Sequence, residues 1–236
     1  MSDHIFVRDE AVRHVRYSDR RAKTFAAAGS SFTACDFTNV RWTDCGWGAG
    51  RTPALYSDCN FDGAHLQARV PGIARFERCT FRNVRLRNWH CDAVEFVDCV
   101  FTGTLTAMVF HGSLEDPYTA FLSRTRNEFH GNDFSGARLE DVGFRGGIDL
   151  TRQILPEQDN LLLVLDALAA VARVEGLINV WDDMDNRARA QGLIRFLRRL
   201  TDSGQLQLLL EADDLRKVFG PVVWARVQPA LASERA

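Results

Sequence analysis

Large apolar side chains recur every five residues through much of this chain, and five is neither a helical period nor a multiple of the strand period of two. Phe32, Phe37, Trp42 and Trp47 set one phase. Tyr56, Phe61 and Leu66 set a second, which breaks at Pro71 and resumes with Phe76, Phe81, Leu86, Cys91, Phe96 and Phe101. Phe129, Phe134, Leu139 and Phe144 set a third. Two places before most centres stands a small or apolar residue, such as Cys35, Val40, Cys45, Ala64, Val84, Val94 or Ala137. In extended backbone, residues two apart point to the same side, so the centre and its small partner share one face. The remaining places are mostly Asp, Asn, Arg, Thr, Ser and Gly, which suit surface and turns.

A winding backbone satisfies this pattern. Each pentad makes one short side and one corner, and four sides close a coil of about 20 residues whose rungs stack roughly 4.8 Å apart as parallel strands. Positions 20 apart then lie above one another. Cys59, Cys79 and Cys99 obey this spacing, as do Phe61, Phe81 and Phe101, so these six are expected to form a core ladder. Outside, Asp58, Arg78 and Asp98 alternate in sign, and Arg75 stands over an outward Glu95.

The motifs "CDFTN", "CNFDG", "CTFRN", "CVFTG", "NDFSG" and "ARLED" make the chain resemble the pentapeptide-repeat family over residues 30–150. The resemblance implies a right-handed quadrilateral β-helix of about five to six coils, a mainly β solenoid, followed by an α-helical C-terminal region. It also implies a non-enzymatic role. Cytoplasmic bacterial members of the family resemble duplex DNA in shape and charge, bind DNA gyrase or topoisomerase IV, and protect it from quinolones or toxins. Relatives dimerise through C-terminal segments, so a homodimer is a second expectation.

The pattern divides the chain into three parts. Residues 1–29 read as an N-terminal cap or degenerate first coil, residues 30–150 as the solenoid, and residues 151–236 as a helical cap or dimerisation region. The beat slips across "GWGAGRTPAL" and fails from Gly103 to Asn127. Within the second break, 111–128 reads as a projecting loop, and insertions in solenoids often serve binding. Leu114, Glu115, Asp116, Tyr118, Phe121, Arg124 and Arg126 are its candidate interaction residues. Beyond residue 151, "NLLLVLDALAAVARVEG" reads as a helix with Gly176 as its stop, and "WDDMD" as an acidic first turn favoured by the helix dipole. Leu206, Leu208 and Leu210 alternate like a strand, although the surrounding segment also fits a broken helix.

Candidate chemistry is sparse. Of the six cysteines, five occupy the small inward place and Cys91 a centre, which suits buried hydrophobes better than metal ligands. No Cys-x-x-Cys pair is present, and His65, His90, His111 and His130 have no ligand spacing. Asp182, Asp183 and Asp185 lack the further oxygen ligands and glycine of a calcium loop. No cofactor, metal site or catalytic residue is expected. The net charge is −2, with no apolar run of membrane length and no signal peptide. These point to a cytoplasmic chain with a protein partner. Arg75, Arg78, Arg82, Arg85 and Arg87 fall on different sides of the coil near acids, so direct nucleic-acid binding is not expected.

Overall fold

The structure is a computed structural model that describes residues 4–120 and 122–232. The chain begins with β1 (His4–Arg8), β2 (Ala11–Arg13), β3 (Arg21–Ala28), β4 (Ser31–Thr33), β5 (Arg41–Gly46) and β6 (Ala54–Ser57). It continues with β7 (His65–Gln67), β8 (Ile73–Glu77), β9 (Thr80–Arg87), β10 (His90–Cys91), β11 (Ala93–Val97) and β12 (Val100–His111). β13 (Phe129–His130) and β14 (Asp133–Arg145) follow. Strands β1, β3, β5, β7, β9 and β12 pair in that order, with β14 on β12. Strands β2, β4, β6, β8, β11 and β13 make a second sheet. All these pairings are parallel, as in a β-solenoid, and among the described residues the first is His4 with Thr24.

Aromatic stacking fixes the rungs. Phe37, Phe61, Phe81 and Phe101 lie face to face at 4.7, 4.7 and 4.9 Å between successive centroids. Phe32, Tyr56 and Phe76 form a second column at 4.8 and 4.6 Å. Each ring contributes stacking of about 0.5–1.5 kcal/mol beyond the burial of its area. Corners repeat as well. His14, Ala34, Asp58, Arg78 and Asp98 all have positive φ, and so do Asp19, Asn39 and Asn83. That left-handed backbone explains why Asp and Asn recur at this place in the pentad. Asp36 and Asn60 close neighbouring turns by accepting the amide hydrogens two residues on, at 2.9 and 2.8 Å.

Breaks in the beat have physical forms. Four residues are added in the coil containing "GAGR": Ser31 pairs with Leu55, and Arg41 with His65. The added segment lies close on the next rung at Gly48. A Cβ there would fall 1.7 Å from the Ile73 carbonyl oxygen, so only glycine fits. Between Phe101 and Gly103 the register shifts by one, from Phe81 under Phe101 to Val84 under Gly103. Gly103, at φ +94, supplies the bulge. Strand β12 then continues to His111 with Leu105, Met108 and Phe110 buried. The region where the beat was expected to fail is therefore still solenoid as far as His111; the deleted residue moved its phase.

Trp89 fills a small inward place, 5.6 Å from Trp47. The indole nitrogens of Trp42, Trp47 and Trp89 are buried without hydrogen-bond partners. Each costs about 1–3 kcal/mol of desolvation, offset by the area these rings bury.

A second compact unit comprises residues 144–148 and 157–236. It contains β15 (Leu161–Val164), α1 (Ala167–Asn179), α2 (Met184–Asp202), β16 (Leu208–Glu211), α3 (Ala212–Phe219) and α4 (Pro221–Ala232). Leu161–Val164 is a strand antiparallel to Leu208–Glu211, which corrects the expected continuous helix there. The helix starts at Ala167 because Asp166 caps it, accepting from the Ala169 amide at 2.9 Å. Gly176 does not stop α1, which runs to Asn179. Asp183 caps α2 by accepting from Asp185 and Asn186 at 3.1 Å, so the acidic run serves the helix start. Buried Gln205 uses both ends of its amide: it accepts from Gly147 and Ile148 and donates to the carbonyls of Ile148 and Gln207.

Replacing the fully buried Phe81 by Ala opens a cavity in the axial column and should cost about 3–5 kcal/mol in urea unfolding. Arg87→Ala, on the surface of the same strand, should change stability by no more than about 0.5 kcal/mol.

Candidate interaction surface

The residues with the most chemical potential in the sequence are the stacked thiols, and the fold places all six cysteines in the interior as free thiols. The Sγ of Cys59, Cys79 and Cys99 donate to the carbonyls of Phe32, Tyr56 and Phe76 at 3.5, 3.3 and 3.5 Å. Burial pushes the Cys79 and Cys91 thiols well up, so both are protonated at neutral pH and poor nucleophiles. The ladder of Cys59, Cys79 and Cys99 with Phe61, Phe81 and Phe101 is core, not a site.

The insertion after β12 was expected to project. Instead it is held against β8 and β11. Its base closes as a short hairpin, with Leu114 donating to Thr125 at 2.9 Å and Asn127 to Gly112 at 2.8 Å. Leu114 is buried with Ile73 and Ala93, and Tyr118 and Leu122 pack on that cluster. Asn127 Nδ2 donates to the carbonyls of Asp92 and His111 at 2.9 and 2.7 Å. Phe121 lies outside the described residues.

Glu95 is the anchor, and its outward place in the pentad pattern concealed this. It is only 5% exposed. Its Oε1 accepts from the Glu128 amide at 2.9 Å. Its Oε2 is 3.3 Å from Arg75 Nη1 and also pairs with Arg124. Arg75 reaches on to Glu128 at 2.9 Å and Glu77 at 3.3 Å. The three carboxylates around Arg75 reinforce its charge, although burial opposes it. Arg124 Nη2 also donates to the Ala93 carbonyl at 3.4 Å. Thus Leu114 and Arg124 hold the loop, while Glu115, Asp116, Thr119 and Arg126 remain exposed. The free tip is acidic at Glu115 and Asp116, and Asp116 is bonded to Thr119.

The helical unit holds a cleft of about 300 Å³ lined by Glu175, Ile178, Asn179, Gln191, Ile194, Arg195 and Arg198. Glu175 and Arg198 neutralise each other across it at 2.5 Å. Among the described residues, no group of three His, Cys, Asp or Glu is placed to hold a metal ion, and no helix is long and apolar enough to cross a membrane.

No protein-family model matches the chain, and no curated sequence does. Among solved structures, it aligns with a trypsin-treated variant of QnrB1, described as a plasmid-mediated fluoroquinolone resistance protein. That alignment has 16% identity and a TM-score of 0.25, covering 66% of this chain and 80% of the other. Full-length QnrB1 gives 16% identity and a TM-score of 0.21, covering 64% and 81%. Superposition this loose carries no functional argument.

Two outcomes check the geometry. The six thiols should be silent to Ellman's reagent in the native protein and all titrate in guanidinium chloride. Glu95→Ala removes the shared counter-ion of two arginines. It should cost roughly 2 kcal/mol, below the value for a fully buried pair because both arginines are a quarter exposed. Trypsin should then cleave at Arg124 and Arg126 well before global unfolding.

Proposed function

We propose that the chain is a non-catalytic pentapeptide-repeat scaffold that binds a protein partner through the tip of the 111–128 loop. The observation that carries this reading is the fixation of the loop by Glu95, Arg75 and Arg124. A decorative loop would need no such anchor. Ordering an exposed segment costs about 1–2 kcal/mol per residue in backbone entropy, and a loop already held in place does not incur that cost on binding. The pre-formed tip offers Glu115, Asp116 and Thr119 to donors on the partner. The sides of the solenoid supply a rigid base.

A second reading is protection of DNA gyrase or topoisomerase IV by DNA mimicry. It needs a continuous negative side, and the charge columns of the solenoid argue against one. Asp58 and Asp98 are separated by Arg78, which bonds Asp58 at 2.8 Å. Asp62 faces Arg82 at 3.5 Å. We rank this reading below a scaffold for another protein.

Immobilised full-length chain should retain a partner from native-host extract that the double variant Glu115→Arg/Asp116→Arg loses. Equal retention by both would remove the loop tip from the interface. A gyrase supercoiling assay with and without a fluoroquinolone should show neither inhibition nor protection at micromolar protein; protection would restore the mimic.

A further inference from the structure

One side of the solenoid carries a column of cations that its acids do not neutralise. Arg21 pairs in register with Arg41, Arg41 with His65, and His65 with Arg85. Two residues along, Lys23 and Arg87 lie on the same side. Arg21, Lys23, Arg41, Arg85 and Arg87 are all exposed, and among the described residues none forms an ion pair. Four rungs with three steps of about 4.8 Å place Arg21 to Arg85 within roughly 14 Å along the column. Two acids border it: Asp44 pairs in register with Thr24, next to Lys23, and Glu140 accepts from Thr106, the register partner of Arg87, at 3.2 Å and pairs with Arg138 at 2.8 Å.

The same coils pair their cations elsewhere. Arg78 sits on Asp58 and Arg82 on Asp62, each across one rung. Of the five arginines between residues 75 and 87, the first three are neutralised and the last two are not. Like charges opposite one another destabilise a sheet by a few tenths of a kcal/mol to about 1 kcal/mol per pair. The field is felt inside the column: burial first, then the charges of Arg41 and Arg85, push the imidazole of His65 down.

We propose that this side binds the phosphate backbone of duplex nucleic acid without sequence preference. Guanidinium groups match phosphate oxygens with paired donors. The outward places beside these cations are Thr43 and Gln67, with Thr104 and Thr106 on the next rung; Thr43 already donates to the Lys23 carbonyl and Thr106 to Glu140, and none of the four offers an apolar anchor. A protein interface needs buried apolar or aromatic anchors at its centre, whereas a phosphate backbone needs cations and donors. A flat sheet side contacts phosphates and does not enter the major groove, so the contact reads no bases. This proposal uses a different side from the loop and stands or falls separately from the loop reading.

Fluorescence anisotropy of a labelled mixed-sequence duplex of roughly 20 base pairs, titrated with the full chain between about 50 and 200 mM salt, tests it. The expected result is binding that weakens with salt, with a log–log slope near about −4.5 for about five cations. Arg41→Glu/Arg85→Glu should weaken binding by at least roughly tenfold and cut the slope by about 2. The neutral pair Arg41→Gln/Arg85→Gln should give a smaller loss in the same direction, with circular dichroism reporting the fold of each variant. Arg78→Glu, on another side, should leave binding within about twofold. The proposal is overturned by absent binding at low salt, by equal loss in Arg78→Glu, or by polyglutamate competing as well as DNA of equal charge. That last result would assign the column to an acidic protein surface.

Discussion

Everything in the solenoid depends on one constraint: a side chain must lie directly over its counterpart one coil away. Parallel backbone pairing and ring stacking impose the same register, as at Phe61, Phe81 and Phe101. Neither alone would be sufficient. Backbone ladders tolerate a slip, and apolar contacts tolerate rotation, but coaxial rings between parallel strands tolerate neither. The buried thiols follow from this. A column of Cys59, Cys79 and Cys99 fits because a small side chain, set two places before each ring, fills the space between ring and wall and donates to a carbonyl of another coil.

Departures from the beat are absorbed at particular points. The four added residues around Gly48 are accommodated because glycine allows a second backbone within contact distance. The missing residue near Gly103 is taken up by a bulge. The long insertion after His111 returns the chain so that Phe129 pairs over Phe96 and Phe134 stacks on Phe101 at 4.7 Å. Strand pairing therefore resumes with the rings in place, and the inserted residues become free to carry a recognition element.

The five-residue beat made the core legible down to individual residues, because the inward places are dictated by volume and shape. It made the candidate site only partly legible. Glu95 occupies an outward place in its pentad, and nothing local marks it as buried; its cover comes from Arg124 and Glu128, about 30 residues on. Leu114 was expected among the loop's interaction residues, and it is instead buried against Ile73 and Ala93. The strand Leu161–Val164 was hidden for a similar reason. Its apolar run fits helix or strand equally, and pairing with Leu208–Glu211, far away in sequence, decides the matter.

The same register that organises the inside also writes charge onto the outside. With rungs about 4.8 Å apart, a residue and the one a coil later are close enough to attract or repel whatever their separation in sequence. Opposite signs in a column contribute modest stability, as between Asp58 and Arg78, and leave little net field. Like signs cost stability and leave a field along the whole side. Arg21, Arg41 and Arg85 make the second choice on a chain whose net charge is −2. Bulk charge would have hidden that side entirely. The quantity that matters for a partner is the sign of each column, and in a solenoid it follows from strand register as directly as the packing of the core.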